Sequence, residues 1–132
     1  MADYAIVNLL EIEDSVGDRV PGLEGRFGRK QLGSRDLGIS HWRYAPGTRT
    51  QGGHSHREQE EAYVVVSGSG RVRLDDEVRD IRRWDVVRVA PEVVRAFESG
   101  PDGLELIAVG GPKPEGGDGV RSDSPWPDAD GA

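Results

Sequence analysis

The sequence predicts an all-β domain, a sandwich or barrel of short strands, and three observations point that way. Short runs rich in Val, Ile, Leu and aromatic residues recur down the chain, and turns containing Gly, Pro and Asp separate them at intervals of about 8–12 residues. No stretch repeats its apolar residues with the period of an amphipathic helix. At 132 residues the chain is long enough for one hydrophobic core and too short for two.

Taken in order, residues 4–10 (Tyr-Ala-Ile-Val-Asn-Leu-Leu) read as a first strand, and residues 14–25, with Pro21 and three glycines, read as a loop. Residues 26–32 and 37–44 are the next strands, separated by Gly33-Ser34-Arg35-Asp36, and Ala45-Pro46-Gly47 ends the second of them. The β-branched run Tyr63-Val64-Val65-Val66 is closed by the turn signal Gly68-Ser69-Gly70. Arg71-Val72-Arg73-Leu74 alternates, so Val72 and Leu74 are expected to face the core and the two arginines water. Asp75-Asp76-Glu77 turns the chain and residues 78–81 return it; residues 86–89 and 95–97 flank Pro91, which cannot donate to a ladder and marks a bend. Residues 104–109 close the fold. The domain is therefore expected to span residues 1–109, N-terminal strand included.

Beyond it, residues 110–132 are rich in Gly, Pro and acidic residues and lack apolar periodicity, the composition of a tail rather than a second domain. Trp126, held stiffly between Pro125 and Pro127, carries a large apolar surface. It either docks on the barrel or a partner, or stays exposed on a disordered tail.

The formal charge of −7 argues against nucleic acid as a partner, because a protein that neutralises phosphates presents a basic stripe and these arginines are scattered among acids. With no cysteine there is no disulfide framework and no thiolate metal site, which fits a cytoplasmic protein. The N-terminus has no positively charged leader pattern and no run approaches ~18 apolar residues, so neither a signal peptide nor a membrane span is expected.

The stretch from Gly52 to Gly70 concentrates the chemistry. His54 and His56 are two residues apart, so an extended chain places both imidazoles on one face. Glu61 opens the following strand, where its carboxylate can meet them; had the chain run extended past His56, Glu58 or Glu60 would share that face instead. Two imidazoles and one carboxylate suit Fe, Mn, Ni or Zn. The bland reading is a pair of surface histidines in a polar loop. His41 has no partner at ligand spacing and reads as a packed or surface residue.

His54-x-His56, then Glu61 and Gly68, with Pro46-Gly47 upstream, resembles the first signature motif of the cupins. The stretch Trp84 to Glu98, with Pro91, is similar to their second motif, except that Arg95 stands where the family has a fourth-ligand His. The resemblance implies a double-stranded β-helix, or jelly-roll, barrel, and a homodimer is expected because such barrels commonly pair and because the strand at residues 4–10 needs its edge covered. It names no reaction, so no catalytic residue is assigned. A guanidinium cannot ligate a metal. In one reading His54, His56 and Glu61 hold a weakly bound divalent metal while Arg95 anchors a small anionic molecule, such as a carboxylate, in a pocket that Tyr63 and Phe97 line chiefly as core residues. In the other, Arg95 pairs with Glu61 in a metal-free pocket for an acidic or sugar-like ligand, a sensor or a metal-independent isomerase. A purely structural barrel would have no pocket.

Overall fold

The computed structural model of the chain describes residues 2–127. Among them eight strands form one curled antiparallel sheet: β1 (Leu23–Phe27), β2 (Gly38–Tyr44), β3 (Gly53–His56), β4 (Glu61–Leu74), β5 (Glu77–Arg82), β6 (Val86–Val89), β7 (Arg95–Gly110) and β8 (Gly119–Ser122). The sheet runs β1-β2-β7-β3-β8, with β4 also paired to β7, and β5 and β6 both paired to β4. This is the all-β barrel that the sequence predicts. No helix among the described residues is long and apolar enough to cross a membrane.

The fold hangs on the ladder between β4 and β7, which are 14 and 16 residues long and pair from Glu61↔Gly110 to Leu74↔Arg95. A flat strand of that length would reach about 50 Å at ~3.3 Å per residue, too far for one small core, so the ladder has to bend. It bends at register shifts between Val65 and Ser67 and between Gly68 and Gly70. Gly68 has φ 75°, and a Cβ there would lie 2.1 Å from the Gly103 carbonyl oxygen, so only glycine passes. The first half of β4 can then pair with β6 and the second half with β5. Tyr63, Val65 and Val72 of β4 point inward with Phe97, Leu104 and Leu106 of β7, and these buried side chains form the core with Val89 and Ile81.

Three expectations are corrected. Residues 4–10 form no strand: Asn8 caps a 3-10 turn at Leu9–Glu11 by accepting from the Leu10 amide at 2.9 Å, a local bond that competes with any ladder. The edge-strand argument for pairing two copies lapses with it. Second, β1 begins within the expected loop and ends at Phe27, and Arg29–Leu32 winds into a one-turn helix, α1, terminated by Gly33 in the left-handed conformation. Third, Arg73 does not face water but is 3% exposed. Its guanidinium donates to the carbonyls of Gly52, Asp75 and Ser124 and to the Ser124 hydroxyl.

What covers Arg73 is the segment after β7. Residues 119–122 run as β8 along β3, and Trp126 docks on the barrel with 2% exposure. The indole N–H donates to the Thr50 carbonyl at 2.8 Å, and the Arg49 guanidinium stacks 4.3 Å from the ring centroid. Residues 128–132 of the expected tail lie outside the described residues. Replacing Trp126 with Ala should cost on the order of 3 kcal/mol, read as a lower urea midpoint at constant m-value; an unchanged midpoint would show that the docked ring adds nothing to stability.

Candidate metal centre

β3 is only four residues long, and its neighbours decide where its histidines point. It meets β7 at the single pair His54↔Arg95 and pairs with β8 along its whole length, from Gly53↔Ser122 to His56↔Gly119. Gly52 permits this closeness: with φ 67°, a Cβ there would sit 2.2 Å from the Ser122 carbonyl oxygen. After His56 the chain leaves the strand. Glu60 pairs with Arg88 on the surface at 2.8 Å, and Glu58 enters the site's network through its backbone amide.

Glu61 therefore arrives from a different strand, β4, and not by continuation of β3. Its Oε1 lies 3.1 Å from His56 Nε2 and 3.7 Å from His54 Nε2, and the two imidazoles stand edge to face with centroids 5.1 Å apart. The three ligand atoms all fall within 4.8 Å of one another, and no other group of His, Asp or Glu among the described residues comes together in this way. Two imidazoles and an ionised carboxylate at this spacing fit a divalent first-row metal. His54 is the open side, 47% exposed, while the side chains of His56 and Glu61 are 12% and 15% exposed. His41 lies elsewhere, packed in the sheet against Glu105 and Arg26.

The electrostatics prepare the carboxylate for a cation. Burial pushes the Glu61 pKa up, but hydrogen bonds from His54, His56 and the Tyr63 hydroxyl (2.6 Å) outweigh it and hold the acid far below the usual carboxylate range. Burial raises the Tyr63 phenol, helped by the Glu61 charge. The bond to Glu61 raises His56; burial opposes this, Asp118 adds to it, and the positive charge of Arg95 works against it.

Asp118 is the residue that sequence reasoning missed. Its side chain is 2% exposed; Oδ1 accepts from His56 Nδ1 at 2.9 Å, and Oδ2 accepts from the amides of Glu58 and Gln59 at 2.7 and 2.8 Å. Burial raises its pKa, yet these donors bring it down to about 2. Nothing in its surroundings, Gly117-Asp118-Gly119 in a Gly- and Pro-rich stretch, separates it from an ordinary turn residue.

Arg95 opens β7 and is fully buried. One nitrogen donates to the Ala90 carbonyl at 3.1 Å, while Nε and Nη1 have no partner. The expected Arg95–Glu61 pair is not made, since the partners of Glu61 are His54, His56 and Tyr63. Arg95, Tyr63 and Phe97 line the same cavity as the His-His-Glu group, a space of about 860 Å³ whose apolar wall includes Tyr44 and Leu106. The Phe97 ring sits 4.8 Å from Tyr63 and 6.4 Å from Tyr44.

A curled antiparallel barrel with two histidines and a glutamate gathered at its cavity defines a class of small barrel proteins with a ligand set for a metal. The family described as the Cupin domain matches residues 40–110, more than half of the sequence, and the chain belongs to the cupins. A cupin protein from Bacteroides fragilis superposes with a TM-score of 0.70 at 19% identity, covering 85% of this chain and 86% of that one. A protein with a double-stranded β-helix domain from Klebsiella pneumoniae gives 0.70 at 18% identity, over 90% and 97% of the two chains. Oxalate decarboxylase from Bacillus subtilis gives 0.73 at 18% identity, over 87% of this chain and 31% of that one. At these identities the likeness is one of fold. No curated protein matches the sequence.

Without metal, a protonated His56 lies between Glu61 and Asp118. Its folded pKa is raised, so the stability it contributes is present below the unfolded value of ~6.5 and is lost as pH climbs through the folded value. Glu61 and Asp118 are depressed, so their contribution is present above about pH 4 and is lost on acidification. In a chelator, Tm should be highest between roughly pH 4 and 6.5 and fall above it, and the alkaline decline should shrink in His56→Gln. A Tm that rises from pH 6.5 to 8 would contradict this assignment.

Proposed function

We propose that the chain binds one divalent metal ion (Mn, Fe, Ni or Zn) through His54, His56 and Glu61, and beside it a small anionic molecule with an apolar body, drawn by Arg95 and enclosed by Tyr63 and Phe97. The observation that carries the reading is the pairing, in one cavity, of three converged ligand atoms with a buried guanidinium that has two unpartnered nitrogens. A buried cation is costly without a counter-charge, and no carboxylate pairs with this one, so its field falls on the cavity, where it acts on His56 and Tyr63. The dication and Arg95 together outweigh Glu61 and Asp118 by a single positive charge, which one carboxylate on the ligand neutralises. The metal, when bound, supplies Lewis-acid polarisation of a bound group or a site for oxygen activation. Tyr63 holds Glu61 in place, and the apolar wall excludes water. That oxalate decarboxylase, a fold neighbour, acts by its name on a small carboxylate is in keeping with this reading.

Arg95 also weakens the metal site, because like charge repels the dication and a guanidinium supplies no fourth ligand. Untagged protein should therefore be purified with less than one metal per chain. Titration with Mn, Ni or Zn at neutral pH should raise Tm, and His54→Ala and His56→Ala should each abolish the rise. Arg95→Met should act in opposite directions, tightening metal binding about tenfold or more while removing any preference for benzoate over its neutral isostere benzamide. If no metal shifts Tm in the parent protein, the metal reading fails; if benzoate and benzamide bind alike, the anion reading fails.

The homodimer belongs to the same proposal, now on the support of the exposed apolar side chains Tyr4, Ile6 and Leu10. Light scattering at micromolar concentration should return twice the chain mass, and a monomer mass would remove it.

A further inference from the structure

We infer that Asp118, supplied by the C-terminal segment outside the cupin match, is a positioning residue of the metal centre that fixes which nitrogen of His56 faces the metal and how far His56 stands from Glu61. The inference rests on the metal reading above. An imidazole can offer a lone pair from either nitrogen, and the partner of the other nitrogen decides which. Here Nδ1 lies 2.9 Å from Asp118 Oδ1, and Nε2 faces Glu61 at 3.1 Å. Glu61 Oε1 and Asp118 Oδ1 are both acceptors, so without metal they compete for the proton of a neutral ring; a metal that took Glu61 and the Nε2 lone pair would leave that proton on Nδ1, where Asp118 holds it. The other oxygen, Oδ2, accepts the amides of Glu58 and Gln59, in the turn that joins β3, with both histidines, to β4, with Glu61. One side chain thus fixes both the ring and the turn between two ligands. It is held there by the pairing of β8 with β3 and by the Arg57 amide, which donates to the Asp118 carbonyl at 3.2 Å. Gly119, next in sequence, lies opposite His56, and a Cβ there would be 4.0 Å from the ring. Asp118 touches no ion itself.

Asp118→Asn is the sharp test, because asparagine keeps the shape but has one acceptor oxygen. With that oxygen on the two amides, its NH₂ faces His56 Nδ1 and draws the proton to Nε2, where it blocks the ligand lone pair. Zinc affinity would be measured by competition with a chromophoric chelator, and the nitrogen of His56 that ligates zinc from imidazole ¹⁵N shifts of the zinc-loaded protein. The expected result is zinc on Nε2 with an Nδ1–H ring in the parent protein, and zinc binding weaker by ten- to a hundredfold in Asp118→Asn. Asp118→Glu, which keeps both acceptor oxygens, should recover part of that loss. A loss smaller than threefold in a folded Asp118→Asn variant, or zinc on Nδ1 of His56 in the parent, overturns the inference. Should the parent bind no zinc, the metal reading fails and this inference falls with it; should the parent bind zinc and a folded Asp118→Asn bind it equally well, this inference alone fails. The ligating nitrogen in the zinc-loaded parent decides this even if the variants do not fold.

Discussion

β3 carries both histidines and touches the barrel at few points, one residue pair with β7 and the His56 amide, which donates to the Pro91 carbonyl at 2.7 Å. Four residues bury too little surface to fix their own position, so the placement of the histidines also depends on what lies on their other side. That neighbour is β8, anchored by three contacts of different kinds. Asp118 binds the turn after β3, Arg73 gathers Ser124 and Gly52, and Trp126 packs against Arg49 and bonds to Thr50. The segment is therefore part of the centre's scaffold. Arg73 shows the dependence from the other side, because a guanidinium with 3% exposure is tolerable only while the segment supplies its acceptors.

Charge distribution gives the cavity its character. The chain as a whole is acidic, but the one fully buried basic side chain among the described residues, Arg95, sits at the edge of the His-His-Glu group and finds a single carbonyl for its donors. Carboxylates could have neutralised it, yet Glu61 is committed to His54, His56 and Tyr63, and Asp118 to His56 and two amides. The result is a centre whose acids are all engaged and whose cation is not. On the proposed reading, such an arrangement would tolerate a dication poorly on its own and better when an anion came with it, which would tie the two binding events together by linkage.

The sequence by itself determined the sheet and the identity of the donors. Alternation along β4, the turn signals at Gly68 to Gly70 and at Asp75 to Glu77, and the break at Pro91 are local signals, written in neighbouring residues and therefore readable. His54 and His56 share a face for the same reason. The choice of Glu61 over Glu58 and Glu60 was less local, since it required the chain to leave β3 after His56. Tertiary structure alone decided the rest: that residues 4–10 cap a turn instead of pairing, that Arg73 is covered, and that Arg95 is left without a carboxylate. It alone brought Asp118, 62 residues beyond His56, onto that ring. An aspartate between two glycines has no periodicity and no motif, and its role exists only where two distant strands lie side by side. Local patterns specify strands and the faces of side chains; which strands become neighbours is settled by the packing of the whole chain, and the second carboxylate of this centre was settled there.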